Sequence, residues 1–145
     1  MGFASPALRI TEEQHRRIVG HCYDGLPDEA CGLLAGAVDG AGEPIGTVTA
    51  VYPARNSDAS ARTYTVDSRD LLRAMRDAES RGEAVIGVWH SHTHTDAYPS
   101  DTDVKQAPDP TWIYVLVSLR DGEPVVRAYR IRDGDIDECQ VVLEP

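Results

Sequence analysis

Hydrophobic residues along this chain occur in two kinds of pattern, continuous runs and helical repeats. The runs at 84–90 and 112–119 are short and rich in β-branched and aromatic residues, which predicts buried strands. In the segments 12–24 and 68–81, apolar residues recur every three or four positions, which predicts two amphipathic helices. The chain therefore combines strand and helix signals within a short length.

Each predicted helix has a capping residue and an apolar face. Thr11 is suited to cap the first helix, and Asp67 or Ser68 the second, because their side-chain oxygens can accept from helix N–H groups. The apolar positions are Ile18, Val19 and Cys22 in the first helix and Leu71, Leu72, Met75 and Ala78 in the second.

Shorter strands are predicted between turn signals, at 8–10, 28–36, 45–53, 63–66, 124–132 and 135–143. The turn Gly40–Pro44 would make a hairpin of the second and third of these strands. A short helical turn is expected after Asp103, ended by Pro108 and Pro110. Together the elements predict a single α/β (α+β) domain over residues 1–145, with a central mixed β-sheet flanked by two main helices.

Composition narrows the class of protein. The 145 residues are 41% hydrophobic and 26% charged, as in ordinary globular domains, and the net charge of -10 argues against nucleic acid as a partner. No apolar run approaches the roughly 20 residues that a membrane helix needs. The segment 1–6 lacks the basic and apolar regions of a signal peptide, so a cytoplasmic protein with no membrane contact is expected.

The three cysteines do not form a metal or disulfide pattern. Their number, three, is odd, and no two of Cys22, Cys31 and Cys139 form a Cys-x-x-Cys pair. Buried reduced thiols are therefore expected. Cys31 follows Glu29 by two positions and could lie near a site. A carboxylate at the start of a strand is either a surface cap or a functional group, and the pattern alone does not decide between them.

Candidate chemistry concentrates where the 84–90 strand ends. His90, His92 and His94 alternate there, and Ser100 and Asp103 follow in a polar loop. Side chains two apart on a strand point to the same side, so His90 and His92 can converge and the loop can return Asp103 to them. Two imidazoles and a carboxylate are a usual ligand set for catalytic zinc. A His-x-His pair by itself is a weak signal, and the remaining histidines, His15 and His21, are expected at the surface.

The arrangement His90-x-His92, seven residues, Ser100, two residues, Asp103, with Glu29 far upstream, resembles the signature of the JAMM (MPN-plus) metallopeptidases. Flanking residues are also similar, at 28–34, 89–92 and 98–100. The resemblance implies a cytidine-deaminase-like fold. It also implies Zn²⁺ bound by His90, His92 and Asp103, Glu29 as general base, and Ser100 as donor to the oxyanion.

The same spacing distinguishes His92 from His94. Counted from His92, Ser100 and Asp103 fall at the family positions, whereas counted from His94 they do not. His94 is therefore predicted to lie at the rim of the site, with a substrate contact or an occasional extra ligand as the alternatives.

The resemblance also implies a substrate. The chain is short and resembles compact bacterial members that act on ubiquitin-like sulfur carrier proteins with a Gly-Gly tail. The expected reaction is hydrolysis of the amide after that tail, which either releases cysteine for cysteine biosynthesis or trims trailing residues. A hydrolase of another amide or isopeptide and a non-catalytic scaffold are the alternatives. The oligomeric state is open, a homodimer included.

Overall fold

A six-stranded mixed sheet forms the centre of the fold in this computed structural model, which describes residues 6–145. The elements in chain order are β1 (Leu8–Thr11), α1 (Glu12–Asp24), β2 (Cys31–Gly36), β3 (Ala50–Ala54), α2 (Ser68–Ser80), β4 (Ala84–His92), α3 (Asp101–Lys105), β5 (Ile113–Ser118), β6 (Val125–Arg132), β7 (Asp135–Cys139) and β8 (Val141–Glu144). The predicted fold class, a central mixed sheet with two main helices, is confirmed.

The strand order in the large sheet is β3-β2-β4-β5-β6-β7. β4 and β5 run parallel, and the other neighbouring pairs are antiparallel. All six residues of β5 and the last seven of β4 are buried, which explains why these two strands gave continuous apolar runs in the sequence. The end of β4 is thus held between neighbours on both sides.

Alternation along β4 divides its side chains between two faces of the sheet. Trp89 belongs to the larger core cluster together with Ile18 and Cys22 of α1. Val88 belongs to a second cluster that includes Ala74 of α2. His90 has the same parity as Val88 and therefore points to the α2 face.

The two long helices form where the sequence predicts them. Thr11 caps α1 in a capping box with Gln14, and the Asp67 carboxylate accepts from the first N–H groups of α2. The buried stripe of α2, however, consists of Ala74 and Ala78. Leu72 and Met75, predicted on the buried face, are 47% and 43% exposed because they lie to one side of this narrow stripe.

Between residues 28 and 66, three predicted strands are wrong in their bounds or their existence. The 28–36 strand begins at Cys31, so Glu29 lies just before it. The 45–53 strand is β3, which begins only at Ala50, because the preceding residues turn aside to hydrogen-bond with Arg9 through Gly46 and Val48. Residues 63–66 form no strand; Val66 makes an isolated bridge to Asn56.

The last predicted strand, 135–143, is divided into β7 and β8 at Gln140. β7 pairs with β6 in the large sheet, whereas β8 pairs in parallel with β1 in a separate two-stranded sheet. Periodicity did not reveal the break, because each half by itself has a strand pattern and the partners are far apart in sequence.

Within residues 6–145, no helix has both the length and the apolar character to cross a membrane. The expectation for the N-terminal segment falls mostly on residues 1–5, outside the part of the chain that is described.

Candidate metal centre

The end of β4 places two histidine side chains at one point. His90 and His92 are 2% and 4% exposed, and their Nε2 atoms lie 3.3 Å apart. They converge because they occupy alternate positions of a strand that is fixed on both edges by β2 and β5. The His90 ring is also stacked on Tyr64, with ring centroids 4.1 Å apart and planes at 19°.

Helix α3 brings a carboxylate to the same point. Ser100 caps this helix: its Oγ accepts from the Asp103 N–H at 3.1 Å, and its own N–H donates to Asp103 Oδ2 at 2.9 Å. Asp103 Oδ2 lies 3.2 Å from His90 Nε2 and 3.0 Å from His92 Nε2. The capping box thus holds the Asp103 carboxylate against both imidazoles.

The donor atoms of this cluster suit a metal ion. One ligand atom from each of His90, His92 and Asp103 lies within 4.8 Å of the others. His92 Nδ1 is 2.7 Å from the Asp96 carbonyl oxygen, which needs an N–H donor, so the neutral ring presents a lone pair at Nε2. That lone pair faces the Asp103 carboxylate, and a cation between them would relieve the repulsion. Two nitrogens and one oxygen match a catalytic zinc site.

Electrostatics in the cluster favour the ligand forms of two of its groups. Burial opposes ionisation of Asp103, but hydrogen bonds from His90 and His92, formed when no metal is bound and these rings carry a proton at Nε2, hold its pKa well below the usual range of a carboxyl. Burial lowers the pKa of His90 despite the nearby Asp103 carboxylate. Burial also acts to lower the pKa of His92, but hydrogen bonds to Asp103 and the Asp96 carbonyl outweigh it, so this pKa is raised.

Glu29 reaches the site from the segment just before β2, the strand that pairs with β4. It is 5% exposed, and its Oε1 is buried without a hydrogen-bond partner among the described residues. Burial raises the pKa of Glu29 to about 7, an effect that His92 opposes and Asp103 reinforces. A carboxylate with such a pKa can both accept and release a proton near neutral pH.

Two cavities meet the cluster from different sides. The first, here called the polar cleft, has a volume of about 310 Å³ and is lined by Glu29, Arg62, His92, His94 and Ser100, among others. The second, here called the apolar groove, has about 340 Å³ and is lined by Asp103 and by a largely apolar set that includes Leu33, Tyr64, Val88 and Trp112. His92 lines the cleft and Asp103 lines the groove, so the cluster lies between them.

Direct contacts join four of the five predicted site residues, His90, His92, Ser100 and Asp103. The fifth, Glu29, lines the polar cleft together with His92 and Ser100. His94 is exposed on the cleft and is not part of the three-residue ligand cluster found within the described chain. Its predicted place at the rim agrees with this position, while its role stays a prediction.

Some residues near the site were not recognised from sequence. Tyr64 and Arg62 have no motif spacing, and only the folded loop places them at the cluster and the cleft. His21, expected at the surface, is half-buried and its Nε2 lies 3.1 Å from the Cys31 carbonyl and 3.2 Å from the Ala54 carbonyl. It therefore ties α1 to β2 and β3.

Cys31 lies near the site, as its position after Glu29 suggested, but its thiol is buried. The Sγ–H donates to the Arg55 carbonyl at 3.5 Å, and burial raises the pKa of Cys31 to about 12. The thiolate required of a nucleophile is therefore disfavoured.

Known proteins share this sequence over most of its length. A family model described as prokaryotic homologs of the JAB domain matches residues 11–132. The CysO-cysteine peptidase of Mycobacterium tuberculosis is 43% identical over 132 residues, which cover 90% of this chain and 87% of that protein. The desampylase of Haloferax volcanii is 33% identical over 145 residues, and the match covers 97% of this chain and 99% of that protein.

Solved structures show the same fold. A protein from Desulfitobacterium hafniense is 35% identical, with a TM-score of 0.83. The match covers 94% of this chain and 92% of that chain. A JAB1/MPN domain protein from Archaeoglobus fulgidus, only 19% identical, has a TM-score of 0.58 over 94% of this chain and 98% of its own, and shares the fold. The resemblance inferred from the histidine motif is confirmed: this chain belongs to the JAMM/MPN family, in its prokaryotic JAB-domain branch, and is a JAMM-type hydrolase.

Proposed function

We propose that this protein hydrolyses the amide bond after the C-terminal Gly-Gly of a ubiquitin-like sulfur carrier protein, by attack of an activated water. The observation that carries the proposal is the position of the buried Glu29 carboxylate in one cleft with Ser100 and His92, beside the three-residue ligand cluster. No side-chain nucleophile is needed, which agrees with the burial of the Cys31 thiol and its raised pKa.

His90, His92 and Asp103 would hold the metal ion, and Zn²⁺ is the ion that this ligand set suits. Bound there, zinc supplies Lewis acidity, which polarises a carbonyl group and makes water a stronger acid. The hydrogen bond between His92 Nδ1 and the Asp96 carbonyl, and the stacking of Tyr64 on His90, keep the two rings oriented.

Glu29 is assigned the proton transfers. Its carboxylate accepts a proton from the attacking water and later delivers it to the leaving nitrogen, so that the amine departs neutral. The unpartnered Oε1 supplies the acceptor atom, and the pKa of about 7 suits both directions of transfer. A fixed acid-base group of this kind contributes roughly 10²- to 10⁴-fold to the rate.

Ser100 is assigned the stabilisation of the oxyanion. Its Oγ already accepts the Asp103 N–H, and this bond orients the side chain at the start of α3. The hydroxyl hydrogen remains to donate towards the polar cleft, which Ser100 lines. Such a donor, placed where negative charge develops in the transition state, lowers the barrier without reorganisation.

The named relatives support the substrate class. One is a CysO-cysteine peptidase, another a desampylase, and a third, from Thermus thermophilus, a probable TtuB-protein conjugate cleaving protease that is 31% identical over 79% of this chain. We assign cysteine release, as a cytoplasmic step of cysteine biosynthesis, because the mycobacterial peptidase is the more similar of these proteins at 43% identity. The desampylase favours a second candidate, cleavage of carrier-protein conjugates.

The test is incubation of the zinc-loaded protein with CysO that carries one extra C-terminal cysteine, followed by intact-mass spectrometry. We expect loss of one cysteine residue, and no loss after treatment with a chelator. Cleavage of a lysine-linked carrier conjugate without cleavage of the cysteine adduct would establish the second candidate instead. A protein that binds no stoichiometric metal and cleaves neither substrate would be a scaffold, and the proposal would be wrong.

A further inference from the structure

One arginine in the polar cleft has no role in the chemistry described so far. Among the described residues that line this cleft, Arg62 is the only side chain with a permanent positive charge. It is exposed and forms no ion pair with any residue in the described part of the chain. Arg120 and Arg130, by contrast, pair with Asp96 and Glu43 at 2.6 Å and 2.7 Å. The Arg62 guanidinium is therefore available to a ligand.

The loop that carries Arg62 is attached to the catalytic groups. The Glu29 N–H donates to the Ser60 carbonyl at 2.7 Å, and the Thr93 hydroxyl donates to the Ala61 carbonyl at 3.2 Å. The Arg62 N–H itself donates to Ser60 Oγ at 3.0 Å. These bonds connect the loop to the segment of Glu29 on one side and to the end of β4 on the other. The backbone at Arg62 is thus fixed relative to the site.

The charges around the cleft explain why a cation there is useful. Glu29 lines the cleft and Asp103 lies beside it, and both carry negative charge when ionised. An anionic group of a substrate would be repelled by them unless a positive charge lay near. The planar guanidinium of an arginine matches a carboxylate in two parallel hydrogen bonds.

The reaction also indicates on which side a carboxylate would lie. Glu29 delivers a proton to the leaving nitrogen, so the leaving group must occupy the cleft that Glu29 lines. When the leaving group is a single amino acid, its α-carboxylate is attached to the carbon bonded to that nitrogen. When the leaving group is a lysine side chain, no carboxylate lies close to the nitrogen.

We infer that Arg62 binds the free α-carboxylate of the leaving amino acid and thereby makes the enzyme selective for carriers extended by one C-terminal residue over isopeptide conjugates. This inference rests on the proposed function and adds a specificity-determining residue to it. The step forms no covalent bond: the carboxylate stays ionised and leaves with the released amino acid.

The test compares two forms of the CysO–cysteine adduct, one with a free C-terminal carboxylate and one with a C-terminal carboxamide. The wild-type protein should cleave the free acid with a kcat/KM about 10- to 100-fold higher than the amide, the range expected for a charge-assisted pair. Arg62→Gln should lose this factor on the free acid and leave the amide unchanged. Arg62→Lys, which keeps the charge without the planar donors, should restore part of it.

Arg76→Gln is the matched control, because Arg76 is an exposed arginine of α2 that lines neither cavity. It should not change the preference for the free acid. Equal cleavage of acid and amide by the wild-type protein, or an equal loss on both in Arg62→Gln, would overturn the role of Arg62 and leave the proposed function standing. Cleavage of neither form by the wild-type protein would overturn both.

Discussion

Cys31 lies directly opposite His90 in the antiparallel ladder between β2 and β4. The pairing continues beyond β2: the Ser91 N–H donates to the Ala30 carbonyl at 3.0 Å, and the Ala30 N–H donates to Ser91 Oγ at 2.8 Å, across 61 positions of sequence. One residue further, Glu29 therefore comes level with His92. This register is what delivers the proposed base to the ligand cluster.

Replacement of Glu29 by Gln tests the assignment of the base. The amide cannot accept the proton, so kcat on the carrier adduct should fall by roughly 10²- to 10⁴-fold. Metal content, measured by mass spectrometry of the dialysed protein, should stay the same because Glu29 is not in the ligand cluster. Normal turnover of the variant would remove Glu29 from the proton transfers.

The pair His92→Ala and His94→Ala tests which histidine binds the metal. His92 has its Nε2 3.0 Å from Asp103 Oδ2, whereas His94 is exposed and outside the cluster. We expect His92→Ala to lose tight zinc binding and activity, and His94→Ala to keep stoichiometric zinc. Equilibrium dialysis against a zinc buffer measures both. Full zinc occupancy in His92→Ala would show that His92 is not a ligand and that the metal binds elsewhere.

The buried Glu29 carboxyl should make the metal-free protein less stable as pH rises. Burial raises its folded-state pKa from an ordinary value of 4.5 to about 7, so between these values the folded state binds more protons than the unfolded chain. The free energy of unfolding therefore falls as pH rises through this window, by up to about 3 kcal/mol at roughly 1.4 kcal/mol per pH unit.

Glu29→Gln removes this effect while the other titrating groups stay the same. Urea unfolding of the chelator-treated proteins gives the free energy of unfolding of the variant and of the wild type. The variant's value minus the wild-type value should be larger at pH 8 than at pH 5. The same difference between variant and wild type at both pH values would contradict the burial of an ionisable Glu29 in the metal-free state.

Gly32 is required by the close approach of Trp89. A Cβ at Gly32 would lie 2.1 Å from ring atoms of Trp89, which is fully buried and cannot move aside. Gly32→Ala should therefore destabilise the protein by about 1–3 kcal/mol or more in denaturant unfolding.

Gly20→Ala is the control substitution for Gly32. A Cβ at Gly20 would meet nothing within 4 Å, and the residue lies inside α1, where alanine is the better helix former. This variant should be up to about 1 kcal/mol more stable than the wild type. Equal effects of the two substitutions would contradict the packing of Trp89 on β2.

The cysteines should be unreactive in the native protein. All three are buried, and burial raises the pKa of both Cys22 and Cys31 to about 12. A thiol-specific chromogenic disulfide at pH 8 should therefore react slowly with the folded protein. In urea, it should react with all three thiols. Rapid reaction of one thiol in the folded state, with loss of activity, would contradict a mechanism without a cysteine.

The sequence by itself determined the local structure and the composition of the cluster. Strand periodicity put His90 and His92 on one side, and the capping preferences of Thr11 and Asp67 marked the starts of the two long helices, whereas the cap at Ser100 was not predicted. These features depend on neighbours within a few positions, so they can be read without the fold. The spacing from His92 to Asp103 likewise lies within one strand, loop and helix.

Only the tertiary structure decided how distant segments meet. The register between β2 and β4, the departure of β8 to pair with β1, and the attachment of the Arg62 loop to Glu29 and Thr93 all depend on hydrogen bonds between residues far apart in sequence. A strand pattern specifies which side chains share a face but not which strand lies alongside or in what register. For that reason the motif could predict which residues form the cluster, and the resemblance could name Glu29. How Glu29 approaches the cluster, the stacking of Tyr64 on His90 and the position of Arg62 followed only from the packed fold.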